Sequence, residues 1–296
     1  MANLKEVRER IKSVINTQQI TKAMKMVSAA KLRRAQQAIL AMRPYADKLD
    51  EMLRNILSNL GDAAETQFGK ERPVVRACQV VVTSNRGLCG AFNSNVIKAA
   101  VANIETHFAQ VRREGNLSIL CIGKRGYDFF RKHYKDCNII SDYVLLFDDL
   151  RFENVAEVSQ RLMDAFENGE YDAIDVSYAQ FKNAVTQYPR TTRWLPVQKM
   201  EPQDDQPQTR ADYIFEPDMQ GLLEQLVPSI LQTTFQKFLL DTHASEHGAR
   251  MTAMDKATEN ANELLHELRL SYNKARQEAI TKEILEIVGG AAALEG

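Results

Sequence analysis

The sequence predicts an α/β fold in which a long antiparallel two-helix coiled coil, made from the chain's two ends, carries an inserted α/β domain. Three observations lead there. An apolar seam holds one heptad register from Leu4 to Leu60, strand-like and helix-like runs alternate across residues 75–200, and a second seam runs from Met251 to Ala279 within a helical segment over residues 215–296. Apolar residues at steps of three and four form one narrow stripe, the seam of a coiled coil rather than the broad face of a globular helix.

The first seam reads Leu4, Val7, Ile11, Val14, then Gln18, Thr21, Lys25, Ser28, then Leu32, Ala35, Ile39, Met42, Ala46, Leu49, Leu53, Ile56, Leu60. Its four polar members are consecutive. Such a helix packs tightly at two levels and meets something polar between them. No glycine precedes Gly61, so the helix from Leu4 to Leu60, within the coiled-coil segment 1–60, reaches on the order of 85 Å. Pro44 removes a backbone donor and is expected to bend the helix near Ala41–Arg43 without ending it, since the heptad continues in register. Residues 1–43 carry ten Lys and Arg against Glu6 and Glu9. This excess reads either as a solvated face or as a basic collar for carboxylates on a partner.

Residues 61–76 read as a linker. Beyond it come a buried strand at Ala77–Ser84, a Gly-rich turn, and a helix from Phe92 to Val111. A strand at Leu117–Gly123, a helix at Tyr127–His133 and a short strand near Ile139–Leu146 follow. A helix over Asn154–Glu167, a strand over Ala173–Phe181 and an edge strand at Thr191–Val197 complete the set. Alternation of this kind predicts a mostly parallel, helix-flanked, Rossmann-like sheet. Residues 199–217 are rich in Pro, Gln and acid and read as a connector. The last helix is predicted over Asp218–Val288, about 105 Å long. Pro228 lies near its start, and Gly248 softens it. Its seam reads Met251, Met254, Thr258, Ala261, Leu265, Leu268, Tyr272, Ala275, Ala279. As the longer partner, it should overhang with a thin, weakly polar tip.

Composition is that of an ordinary soluble chain: 44% hydrophobic, 26% charged, formal net charge -1. That balance gives no nucleic-acid signal, and the basic stretch lacks interleaved aromatics. No run approaches the roughly 18 apolar residues of a membrane helix. Met1–Arg10 lacks the apolar core of a secretory signal. Cys78, Cys89, Cys121 and Cys137 have no C-x-x-C spacing and read as free thiols of a cytosolic, bacterial chain.

Four segments are similar to one family. INTQQITKAMKMVSAAKLRRAQ, SNRGLCGAFN, SEHGARMTAMDKATENA and NKARQEAITKEILEIVGGAAAL resemble the gamma subunit of F-type ATP synthase, most specifically in Ile280, Thr281, Glu283, Glu286, Gly290 and Ala291. Residues 125–215 match mainly in layout. The resemblance implies a non-catalytic central shaft turning inside the alpha-beta hexamer. Its foot would join the epsilon subunit and the membrane c ring, at the cytoplasmic face of the bacterial inner membrane. It implies no cofactor and no metal. Arg276 and Gln277 would hold a catch loop of an open beta subunit. Thr281, Glu283 and Glu286 would couple the last helix to its surroundings. Met24 with Lys25, and Arg86, would lie opposite beta's acidic lever, and Arg250 would brace that level. The polar seam break at Gln18–Ser28 then reads as an outward-facing polar site.

Other readings compete at single motifs. Gly87-Leu-Cys-Gly90 after a strand is like a phosphate-cradling turn, but it lacks G-x-G-x-x-G and G-x-x-x-x-G-K-[ST]. His243 and His247 stand i, i+4 without H-E-x-x-H or a third ligand. Glu283 and Glu286 could pass for an acid/base pair, yet nothing places them in a cleft. Two rival functions follow, a nucleotide-binding α/β enzyme and a coiled-coil adaptor without a rotary role.

Overall fold

In the computed structural model, the structure describes residues 4–60, 67–70, 72–197 and 219–295. The predicted connector lies outside them, as do residues 61–66 and 71 of the predicted linker. Helix α1 spans Leu4–Leu60 and runs through Pro44 as one element. Helix α6 spans Met219–Glu295, through Gly289 and Gly290. The chain divides into two compact units, residues 1–28 with 250–296, and residues 29–249.

The first unit is a two-helix seam. Arg8 donates to the Tyr272 hydroxyl at 2.8 Å, and Thr21 meets Thr258. Lys25 pairs with Asp255. Each step forward on α1 is matched by a step back on α6, so the helices are antiparallel. Every predicted seam position of α1 in this unit is buried or half-buried, and so is every one on α6 from Met251 to Ala279. Their neighbours on the outer faces are mostly exposed, which is the burial pattern a 3.5-residue period imposes.

The second unit holds five strands in the order β3-β2-β1-β4-β5. They are β1 (Ala77–Val82), β2 (Leu117–Ile122), β3 (Asn138–Ile140), β4 (Ala173–Phe181) and β5 (Gln187–Leu195). The first four are parallel, and β5 runs antiparallel along β4. Both β1 and β2 are buried at every position, as strands covered on two faces must be. One face packs on α2 (Phe92–His107), α3 (Ala109–Arg113) and α4 (Lys124–His133). The other packs on α5 (Phe152–Glu167) and on α6 from Val227 to Leu239. On that second face the Trp194 indole donates to the Leu231 carbonyl at 3.3 Å and its ring tilts against Phe235.

Several boundaries differ from the sequence reading: α6 runs on to Glu295 rather than ending at Val288, α4 starts at Lys124 rather than Tyr127, and three others have a local cause. The helix predicted over Phe92–Val111 breaks at Phe108, whose φ of -120° is not helical; burying that ring turns the chain before α3 starts. The strand predicted to reach Leu146 stops at Ile140 and gives way to a 3-10 turn at Leu146–Asp148. Strand β5 starts four residues earlier than predicted, because the chain folds back at Asn183, whose side chain accepts from the N–H groups of Val185 and Thr186.

Candidate functional site

The Gly-rich turn after β1 is tightly built. The Thr83 hydroxyl accepts from the Gly126 N–H at 2.8 Å and the Ser84 hydroxyl donates to the Arg86 carbonyl at 2.6 Å. Asn93 accepts from the Ser84 N–H at 3.0 Å and donates to Cys89 Sγ at 3.2 Å. Leu88 and Gly90 take positive φ. Gly123 is required where it stands: its φ is +97°, and a Cβ would run into the Thr83 carbonyl. The turn leaves Arg86 exposed.

In an open parallel sheet, ligands settle in the crevice beyond the carboxyl ends of the strands where the strand order reverses. Here that point lies between β1 and β4, beside the turn. It is filled. Pairing of β1 with β4 ends at Val81 and Ser177. Just beyond, the Ala179 N–H donates to the Thr242 hydroxyl at 3.3 Å, and the Ala179 carbonyl accepts from Ser245 at 3.1 Å. Thr242 and Ser245 are fully buried. Helix α6 thus occupies the place a nucleotide would need, which removes the ground for the phosphate-turn reading.

The polar break in the first seam faces inward, correcting the expectation of an outward polar site. Gln18 donates to Asn262, Thr21 and Thr258 share a bond of 2.8 Å, and Lys25 pairs with Asp255. The physical reason is continuity of register: these side chains still point at the facing helix, and that helix answers with polar groups. Sequence reading missed Asn262 and Asp255 because they flank the α6 seam rather than occupy it. Lys25 keeps about two fifths of its side chain exposed and Asp255 about half, and Met24 is half-buried.

Past Ala279 the environment of α6 changes: every position from Ile280 to Ala291 is exposed. Ile280, Ile284, Leu285, Ile287 and Val288 stand 47–71% accessible, a contiguous apolar surface of the kind that marks an interaction site. Arg276, Gln277, Thr281, Glu283 and Glu286 are exposed along the same stretch, with Glu286 3.6 Å from Lys282. Arg250 lies apart from them and is buried. Of the ten basic residues before position 44, all but Lys25 are exposed.

Other chemistry is muted. His243 Nε2 and His247 Nε2 are 3.1 Å apart, and His243 stacks on Phe147. Among the described residues no three His, Cys, Asp or Glu side chains gather in a way that could hold a metal. Burial pushes the Cys78 and Cys121 thiols up to about 12 and Cys137 to about 11, which makes them poor nucleophiles. No helix among the described residues is long and apolar enough to cross a membrane.

Known proteins match along the whole chain. The ATP synthase family profile described as "ATP synthase" matches residues 3–294. The ATP synthase gamma chain of Flavobacterium psychrophilum is 52% identical over 296 residues, covering 100% of both chains, and that of Cytophaga hutchinsonii is 50% identical over 295 residues, covering 99% of each. Two solved structures share the fold. A chain of the Euglena gracilis mitochondrial ATP synthase (OSCP/F1/c-ring) aligns at TM-score 0.65 and 20% identity, over 98% of this chain and 94% of that one. A chain of the Tetrahymena thermophila central stalk and c-ring aligns at 0.55 and 22%, over 80% and 99%.

Proposed function

Because the chain belongs to the ATP synthase gamma chain family, we propose that it is the complex's central rotor shaft. It would couple proton-driven rotation of the membrane c ring to ATP synthesis or hydrolysis on the beta subunits. The observation that carries this reading is the exposed apolar stretch from Ile280 to Val288. Burying a side chain of that size is worth roughly 1.5–3 kcal/mol, so five of them in water mark a contact that a partner completes. A surrounding hexamer of alpha and beta subunits would complete it. Gly289, Gly290 and Ala291 keep the adjoining profile narrow enough to turn inside such a ring.

The shaft is non-catalytic in this reading. A rotor acts by making different contacts at each angle, and only a contact that differs between beta conformations can shift their populations. Arg276 and Gln277 would latch an open beta subunit, with Thr281, Glu283 and Glu286 beside them. Arg86, with the half-exposed Met24 and Lys25, would meet beta's acidic lever, where the exposed basic face of α1 supplies long-range attraction. Arg250 would brace that level from within. The sheet domain would hold the epsilon subunit and the c ring, so membrane contact is indirect, at the cytoplasmic face of the bacterial inner membrane.

The test is purification of the native complex through a tagged full-length chain, with identification of its companions. Alpha, beta, epsilon and c subunits are expected. A complex lacking alpha and beta would overturn the reading and favour the adaptor, and ATP turnover by the chain alone would overturn its non-catalytic part.

A further inference from the structure

We propose that Thr242, Ser245 and Gly248 form a joint that locks α6 against twisting relative to the sheet, so that turning force passes between them without slip. The proposal rests on the rotor reading and names where, within residues 29–249, the load crosses from strand to helix.

Strand β4 outruns β1. Its register with β1 ends at Ser177, while the strand continues to Phe181. On its other side Ala179 faces Pro189 of β5, a pair of the kind whose backbone groups point away from each other in the alternating antiparallel ladder, where a proline loses no bond. The N–H and carbonyl of Ala179 point instead toward the side β1 has vacated, where buried backbone groups cannot be left unpaired. Helix α6 supplies both partners. The Thr242 hydroxyl accepts from the N–H while donating to Phe238 O at 2.8 Å, and Ser245 donates to the carbonyl. Two hydroxyls three residues apart on a helix thus substitute for a neighbouring strand. One turn further on, Gly248 comes so close to Ala184 that a Cβ would lie 3.1 Å from the Ala184 Cα and carbonyl oxygen.

These contacts differ in kind from the rest of the α6 packing. Phe235, Phe238 and Leu239 lie on the sheet through apolar contact, which is non-directional and restrains rotation about the helix axis only through fit. Hydrogen bonds are directional and weaken steeply when bent. Rotation of α6 would strain both bonds to Ala179 and swing a larger side chain toward Ala184 in place of Gly248. The three residues sit at equal spacing on one side of the helix, so they resist twist together.

The experiment uses the full-length chain in the intact complex, reconstituted into vesicles, with ATP hydrolysis and proton pumping read side by side. The double variant Thr242→Val with Ser245→Ala is expected to assemble and hydrolyse ATP but to pump several-fold fewer protons per ATP. Thr242→Ser, which keeps the hydroxyl, should pump as wild type does. Loss of stability alone would lower the amount of complex, not this ratio. If the double variant does not assemble, Gly248→Ala reads the same joint from its other end and should also lower the ratio. An unchanged ratio in whichever of these variants assembles overturns the joint. Failure of the wild-type complex to pump on ATP would count against the rotor reading instead.

Discussion

Thr21 on α1 and Thr258 on α6 share a hydrogen bond of 2.8 Å across the two-helix seam, at the centre of its polar stretch. Each hydroxyl also lies within bonding distance of a carbonyl on its own helix, Gln18 O at 3.0 Å and Met254 O at 2.7 Å. Two hydroxyl hydrogens cannot serve three bonds, so one back-bond yields. Thr21→Val should cost about 1 kcal/mol, since Thr258 keeps Met254 O as a partner. The double change to Val should be close to neutral, because replacing both partners by apolar groups of the same shape leaves no orphan. Chemical denaturation of the two variants distinguishes these outcomes; equal losses for single and double would contradict the shared bond.

Leu265 is 5% exposed on the α6 seam, whereas Glu263 two residues earlier is exposed. Leu265→Asp loses about 1.5–3 kcal/mol of burial and adds the penalty of an unpaired buried carboxylate. Glu263→Asp should shift stability by less than about 0.5 kcal/mol. Thermal melting of both variants checks this, and an unchanged melt for Leu265→Asp would mean the seam does not hold the pair together.

Asp241 lies buried on α6, and burial raises its pKa to about 6, against the opposing pull of Lys237 and Arg43. The folded form therefore holds a proton that the unfolded form releases near the ordinary carboxylate value of 3.8. Between those two values stability falls as pH rises, and the loss persists at neutral pH. The effect is on the order of 2–3 kcal/mol at most. Asp241→Asn should remove this component, flattening the profile from about pH 4 to 6. Melting curves across that range for both proteins decide it; parallel profiles would remove Asp241 as their cause.

Arg276 and Gln277 are exposed and lie off the seam at Tyr272, Ala275 and Ala279. Changing both to Ala should leave assembly intact and slow ATP turnover of the complex, since the planar guanidinium fork grips a carboxylate in a way few side chains can. Normal assembly with unchanged turnover would show that these two residues do not latch beta.

Much of this architecture was legible in the order of residues. A seam repeats every three or four positions because a helix does, so Val7, Leu32, Leu49, Met254 and Leu265 announced their burial. The runs at Ala77–Val82 and Ala173–Phe181 announced strands, because apolar residues covered on both faces need no alternation. The family resemblance supplied the expected roles of Arg276, Gln277 and their neighbours.

What the tertiary structure decided was which polar groups meet. A heptad states that Gln18, Thr21 and Lys25 point at a partner, but not that Asn262, Thr258 and Asp255 stand opposite. Nor does any local pattern reveal that Thr242 and Ser245 complete the unpaired backbone of Ala179, more than sixty residues away in the chain. Periodicity is a local property, set by the geometry of a single helix or strand. Satisfaction of a buried donor or acceptor depends on which distant segment packs beside it, and that is settled only when the elements come together.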